Sequence, residues 1–513
     1  MSIKQLAGQT VFYGISNIIS KFLNLLLTPF YLLVLMDTVS FGAMSSVYAY
    51  ITFINVILTY GMETTFFRFA KQGQERAVLS TSMISLIASS TIAFILFMLV
   101  RTPVINSPQG VMAGLTGHPS YYLYIVLVLC FDAVTAIPYA QLRLDGRPVR
   151  YAIIRIANIL TNIFFNVFFL WLGPKLHASG VPFMPHPTTG GEQIGYIYLA
   201  NVMGSGMTLL LFLPQILKID WKINWPLWKQ LLQYSLPLVV FGLAGMVNET
   251  LDRAWFLPTY LHMPLHEKQE ALSIYSANYK MAIFITMFIQ AFKMGAEPFF
   301  FKQSEGQNPQ KVYARIMKLF VVLLCVMFLF VSLFLDIWKI FLVKNKFYQQ
   351  GLFIVPVLLL ANVFLGIYYN LTIWFKITDR TRTGAAITII TALLAWGCNA
   401  WWIPRMGYFG AALATMVCYL VQMVICWALG QKYYPVPYHL PRILTYIGSA
   451  VVVYYFFAWL TNHLLSPGAP YALTPATLGT GLLFFFAYLW FVLKMEKREF
   501  AKLPFVGKYI GKL

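Results

Sequence analysis

Gly61-Met62-Glu63-Thr64-Thr65-Phe66-Phe67-Arg68 and, 234 residues later, Gly295-Ala296-Glu297-Pro298-Phe299-Phe300-Phe301-Lys302 follow one pattern. In each, a glycine closes a long apolar run, a carboxylate follows two positions on, and a cation five positions after that. The duplication predicts a chain built from two equivalent halves, and the surrounding sequence decides of what kind. Apolar runs of about 18 residues or more recur along the whole length. The 513 residues are 59% hydrophobic and only 11% charged, with a mean hydropathy of +0.70. A soluble domain cannot hide that much apolar surface. The expected fold is therefore all-α, a polytopic membrane protein.

Fourteen spans are expected, near residues 9–35, 40–66, 79–101, 119–142, 151–172, 193–217, 230–257, 271–297, 314–338, 350–374, 384–403, 407–430, 442–464 and 475–493. The first run contains Lys21 and continues into a second, so it reads as an uncleaved signal anchor. With the N-terminus inside, 25 of the 37 Lys and Arg residues fall on the cytoplasmic side, seven outside and five within spans. That asymmetry predicts both termini in the cytoplasm. It also accounts for the net charge of +20 by topology and attraction to anionic membrane lipids, without nucleic acid. The five cysteines all lie in apolar runs without metal-ligand spacing, so neither a disulfide framework nor a metal site is expected.

The repeat extends beyond its two motifs. Arg143 and Arg147 match Lys376 and Arg380, and Asn166 matches Asn399, at an offset of 233. Lys21 matches Arg253 at 232. Spans 1–6 (residues 1–217) and 7–12 (230–430) then form two parallel, pseudo-symmetric six-helix lobes. A Trp- and Lys-rich cytoplasmic linker at 218–229 joins them. Spans 13 and 14 (431–493) are appended, and 494–513 is a basic cytoplasmic tail.

Polar residues within spans recur at helical spacing. Span 1 carries Asn17, Lys21, Asn24 and Thr28 on one face, and span 5 carries Arg155, Asn158, Asn162 and Asn166. Span 7 carries Asn248, Glu249, Asp252 and Arg253, and span 8 carries Lys280, Lys293 and Glu297. Span 4 carries Asp132. Each charge costs roughly 2.5–3.5 kcal/mol in hydrocarbon, so these faces should meet a watery lumen or a partner. The expected lumen lies between the lobes. Glu63 with Arg68, and Glu297 with Lys302, sit at cytoplasmic span ends and read as latches. Glu249 and Arg253 are four apart and could pair. If both end-of-span glutamates pair locally, the interior keeps an excess of two positive charges, which favours an anionic substrate.

Fourteen spans, the six-plus-six repeat with two extra helices, the Gly14…Lys21…Pro29 segment, Phe41-Gly42 and Gly61-Met62-Glu63 together resemble the Wzx-type polysaccharide (O-antigen) flippases. Those belong to the multidrug/oligosaccharidyl-lipid/polysaccharide exporter (MOP) superfamily, whose MATE-like architecture the resemblance implies here. It further implies a monomeric flippase of the bacterial inner membrane. The substrate would be an oligosaccharide on undecaprenyl diphosphate, moved to the outer leaflet for surface polysaccharide synthesis. On that reading Lys21, Arg253, Lys280 and Lys293 meet the diphosphate and acidic sugars, with Asn24, Arg155 and Asn162 lining the same path. Asp132, Glu249 and Asp252 are the candidates for coupling to a proton or sodium ion. No cofactor is implied.

The nearest rival is a multidrug antiporter of the same superfamily, kept open by the three interior acids. An enzyme is disfavoured, because the external loops are short and no Asp-x-Asp occurs.

Overall fold

Proline sets where many of the helices begin. It occupies the first turn of the helices starting at Pro119, Pro148, Trp225, Pro309, Leu440 and Pro475. There its missing N–H costs nothing and its fixed φ suits the helix. Asn224 caps the seventh span by accepting from the Leu227 N–H at 3.1 Å. Thr474 and Thr477 form a capping box on the fourteenth.

The computed structural model describes residues 3–35, 38–70, 75–102, 118–181, 185, 191–260, 263–303, 307–378, 380–467 and 471–500, with backbone alone at 3–17 and at several isolated positions. Thirteen described helices are long and apolar enough to cross a membrane. They are span 2 (Ser40–Ala70), span 3 (Glu75–Leu99), span 4 (Pro119–Leu144), span 5 (Pro148–Ala178), span 6 (Glu192–Ile216), span 7 (Trp225–Phe256) and span 8 (Leu265–Lys293). Span 9 (Pro309–Ser332), span 10 (Lys346–Ile377), span 11 (Thr381–Met406), span 12 (Tyr408–Tyr433), span 13 (Leu440–Leu465) and span 14 (Pro475–Met495) complete them. Span 1 is the helix Ile3–Val34. The expected all-α, fourteen-helix membrane fold is therefore observed, with every expected span matched by a helix.

The chain folds as two compact units. One comprises Met1–Ala277, Gln290–Gly295 and Ala385–Cys418; the other comprises Asn278–Ile289, Ala296–Gly384 and Tyr419–Leu513. In the first, Met62, Phe66, Ile137, Ala140, Phe212 and Leu231 form a fully buried knot drawn from spans 2, 4, 6 and 7. It fixes the span ends that carry the first duplicated motif.

The two motif glycines behave differently. At the first, Tyr60 (φ 32°) and Gly61 (φ 68°) take left-handed conformations and break span 2 between Thr59 and Met62. At the second, the helix Leu265–Gln303 runs straight through Gly295. The break is held by packing, since a Cβ on Gly61 would lie 2.7 Å from Leu238 Cβ. Gly61→Ala therefore combines backbone strain with a clash and should cost about 1–3 kcal/mol. A lowered unfolding midpoint of the detergent-solubilised protein checks this; an unchanged midpoint would show that the break relaxes freely.

Asn166 and Asn399, which match at the offset of 233, make the same local bond. Both are buried, and each donates from its side-chain amide to the carbonyl four residues earlier at 2.8 Å.

Candidate functional site

Span 7 ends in a π-helical turn, Asp252–Phe256. Such insertions turn side chains off the regular helical face and recur at functional sites. Here the turn carries Asp252 and Arg253. Asp252 is buried and accepts from the Tyr275 hydroxyl and, at 3.4 Å, from Arg253 Nε. Arg253 also donates to the main-chain carbonyl of Glu249. Arg253 thus meets Asp252 and the Glu249 carbonyl directly, and it remains the leading charge acting on the Glu249 carboxylate. Arg253 turns to Asp252 and to the backbone, because the π-turn carries its guanidinium back along the helix.

Lys21 and Lys293, with Arg253, are the charges that act on the Glu249 carboxylate. Lys21 in turn lies within electrostatic reach of Arg155. Lys21, Arg155 and Glu249 are all exposed despite sitting within membrane-length helices, as side chains lining open space would be. Asn24 is on the same face of span 1 as Lys21. Spans 1, 7 and 8 of the first unit thus bring Lys21, Arg253 and Lys293 to one exposed carboxylate, and Arg155 of span 5 adjoins Lys21.

A second polar group adjoins Arg155. Asp132 in span 4 accepts from Ser205 Oγ of span 6 at 2.7 Å and feels the Arg155 charge. Arg155 also lies over the Tyr139 ring, 5.8 Å from its centroid. The asparagines of span 5 turn to span 6: Asn158 donates to Thr208 Oγ1 at 2.8 Å and Asn162 donates to Asn201 Oδ1 at 3.0 Å. Asn201 itself donates to the Tyr48 hydroxyl. Asn162 is buried in this network, where its amide ties helices together; a sugar reaching it would have to displace one of those bonds.

The local latch expected between Glu63 and Arg68 does not form. Glu63 accepts from Arg143, 80 residues away on span 4, while Arg68 lies over the Tyr234 ring at 4.3 Å. Glu63 begins the helix after the Gly61 break and so faces span 4, whereas Arg68 faces span 7. The Glu297 and Lys302 side chains fall outside the described residues. Lys280 is carried by the second unit, on the same helix as Lys293.

Several residues of consequence carry no sequence signal of their own. Ser205, Asn201, Tyr48 and Tyr275 are common in apolar helices, and only their contacts give them a role. Lys318 and Glu496, placed by sequence in cytoplasmic segments, form a buried pair at 2.5 Å in the second unit.

Thirteen membrane-length helices and a shorter apolar one, with charged residues gathered among four of them, define the class, a polytopic helical membrane protein with charges inside its spans. No family model matches the sequence, and no curated protein does. Solved structures share the fold. The lipid II flippase MurJ in an inward closed conformation superposes with a TM-score of 0.70 over 94% of this chain and 98% of its own, at 12% identity. An inward-facing multidrug resistance MATE family transporter of the MOP superfamily gives 0.57 over 84% and 94%, also at 12% identity. A MATE protein in the straight conformation gives 0.59 over 84% and 95%, at 10%. The chain therefore has the fold common to MurJ and the MATE transporters.

Proposed function

We propose that this protein is a MOP-type transporter that flips a lipid-linked oligosaccharide, with a diphosphate at the lipid–sugar junction, from the cytoplasmic to the outer leaflet. The observation that carries the reading is the cation-rich cluster of Arg253, Lys21 and Lys293 about Glu249, with Arg155 next to Lys21. Charges inside membrane helices are expensive and mark substrate paths. Asp252 already answers Arg253, so Lys21 and Arg155 are the cations placed to meet an anionic group. Lysines are mobile point charges that bind a phosphate and can release it. Asn24 would meet sugar hydroxyls, and Lys280 is assigned to the same path. The likeness to the lipid II flippase in fold supports a lipid-borne substrate.

On this reading the two six-helix lobes, residues 1–217 and 230–430, rock to expose the cluster alternately to either leaflet. At the cytoplasmic ends Glu63 acts as a latch through Arg143 in place of Arg68, and Glu297 with Lys302 is assigned the same role in the second motif. Asp132 carries the coupling proton or sodium ion, because it is a carboxylate held by a hydroxyl beside a cation. Both termini lie in the cytoplasm of a bacterium, the protein works as a monomer in the inner membrane, and the product feeds surface polysaccharide synthesis. No catalysis is involved.

Glu249 and Asp132 favour a second reading, a cation antiporter for organic drugs. Reconstituted liposomes separate the two. A fluorescent undecaprenyl-diphosphate oligosaccharide is placed in one leaflet, with and without a cation gradient. Protein-dependent movement supports the flippase. No movement, together with efflux of a cationic dye, replaces it with the antiporter.

A further inference from the structure

A cleft in the first unit shares no lining residue with this cluster and lies at the span ends that the charge asymmetry assigns to the cytoplasm. It has a volume of about 490 Å³, within the range of about 300–1,000 Å³ usual for ligand sites. Its lining is polar: Gln215 of span 6 donates to Gln141 of span 4, and both line it. Its rim carries Arg76, Arg147, Arg150 and Lys218.

The chain sets these cations close together. Span 4 ends at Leu144, and Gly146 takes φ 65°, a left-handed turn that Cβ-bearing residues disfavour. Arg147 N–H then returns to the Leu142 carbonyl at 2.9 Å, and span 5 starts at Pro148. That tight turn aims Arg147 and Arg150 at the end of span 6, where Lys218 sits, and at Arg76 in the first turn of span 3. Asp145 and Asp220 also line the cleft. Asp145 answers Arg147 at 3.9 Å. Arg76, Arg150 and Lys218 make no ion pair within 4.0 Å among the described residues, leaving the cleft with a positive excess.

The lipid-facing surface next to it is apolar. Val149 and Ile153 on span 5 and Leu210 and Leu217 at the end of span 6 are all more than half exposed. A cationic cleft opening beside such a strip matches a molecule with a phosphate head and hydrocarbon tails. Guanidinium groups bind phosphate by paired hydrogen bonds, and basic pockets between helices on the cytoplasmic side bind anionic head groups.

We propose that this cleft is a binding site for a phosphate group, presented by an anionic phospholipid of the cytoplasmic leaflet. It is separate from the transport cluster, so its failure would leave the proposed function untouched, and the reverse also holds.

The test titrates the detergent-solubilised full chain with short-chain phosphatidylglycerol, with phosphatidylcholine of the same chain length and with inorganic phosphate, reading intrinsic tryptophan fluorescence. Phosphatidylglycerol should bind at least about tenfold more tightly than phosphatidylcholine. The triple variant Arg76→Gln, Arg150→Gln, Lys218→Gln should weaken it by a comparable factor, at about fivefold per cation before losses to mutual repulsion. A control triple, Lys222→Gln, Lys229→Gln, Lys311→Gln, removes as much cytoplasmic charge elsewhere and should bind as the parent does. Inorganic phosphate binding as tightly as the lipid would overturn the lipid assignment and give the site to a soluble anion. Equal loss in both triples, or none in the first, overturns the proposal. Lys218→Arg, which retains charge and fold, should keep binding and guards against a merely unfolded variant.

Discussion

Lys21→Ala should abolish measurable flipping while leaving the amount of protein in the membrane unchanged. Lys21 stands exposed within the helix of span 1, with Glu249 and Arg155 as its charged neighbours. A charge-assisted hydrogen bond from it to a diphosphate contributes about 1.5–3 kcal/mol, so its loss slows transport by about 10- to 150-fold. Lys280→Ala, assigned to the same proposed path, is expected to behave alike. Asn24→Ala, one turn along the same face, removes a neutral contact and should cost less. Arg143→Ala breaks the pair with Glu63 at a span end, so it should lower stability more than rate. Glu249→Gln makes the sharpest contrast, because it removes the carboxylate that competes for these cations. An anionic substrate should then bind more tightly and leave more slowly, whereas an organic cation would lose its anchor. Initial rates in reconstituted liposomes measure all five. Equal losses for Lys21→Ala and Arg143→Ala would remove Lys21 from the substrate path.

Much of this architecture is written locally in the chain. Hydropathy locates each span because a lipid-facing helix must be apolar along its length, and prolines mark several starts because only the first turn tolerates them. Asn166 and Asn399, which match at the offset of 233, both make the same bond to the fourth residue back. The motif around Gly61 and Gly295 illustrates the limit. The residues match, yet only Gly61 breaks its helix, because Leu238 and the neighbouring knot hold that turn. Charge partners were the least legible. Glu63 lies five residues from Arg68 but pairs with Arg143, and Asp252 is held by Tyr275, 23 positions away. Spacing reports which residues share a face, but which helix that face meets depends on packing between distant segments. The candidate cluster was therefore readable as a set of costly charges, and its pairing was not.

Replacing Lys318 by methionine should cost about 3–5 kcal/mol, the largest stability effect expected in this chain. Lys318 and Glu496 are 4% and 2% exposed, with Nζ 2.5 Å from Oε2. The Tyr446 hydroxyl donates to Oε1 at 2.6 Å, and Arg442 stands 3.7 Å from the same oxygen. One carboxylate thus ties span 9 to span 13 and to the chain just after span 14. Removing the lysine leaves that carboxylate buried with one full cation lost, and the cost is mostly that of the stranded charge rather than of the bond. The same reasoning predicts rescue. In Lys318→Met with Glu496→Met, no charge is stranded and the methionines fill the volume, so most of the loss should return. Tyr446→Phe removes a single donor to a charged acceptor and should cost about 1.5–3 kcal/mol. Unfolding midpoints of the parent, both single variants and the double variant close the cycle. A double variant as unstable as the sum of the singles would mean that the two residues act independently, and that spans 13 and 14 are held to span 9 by apolar packing alone.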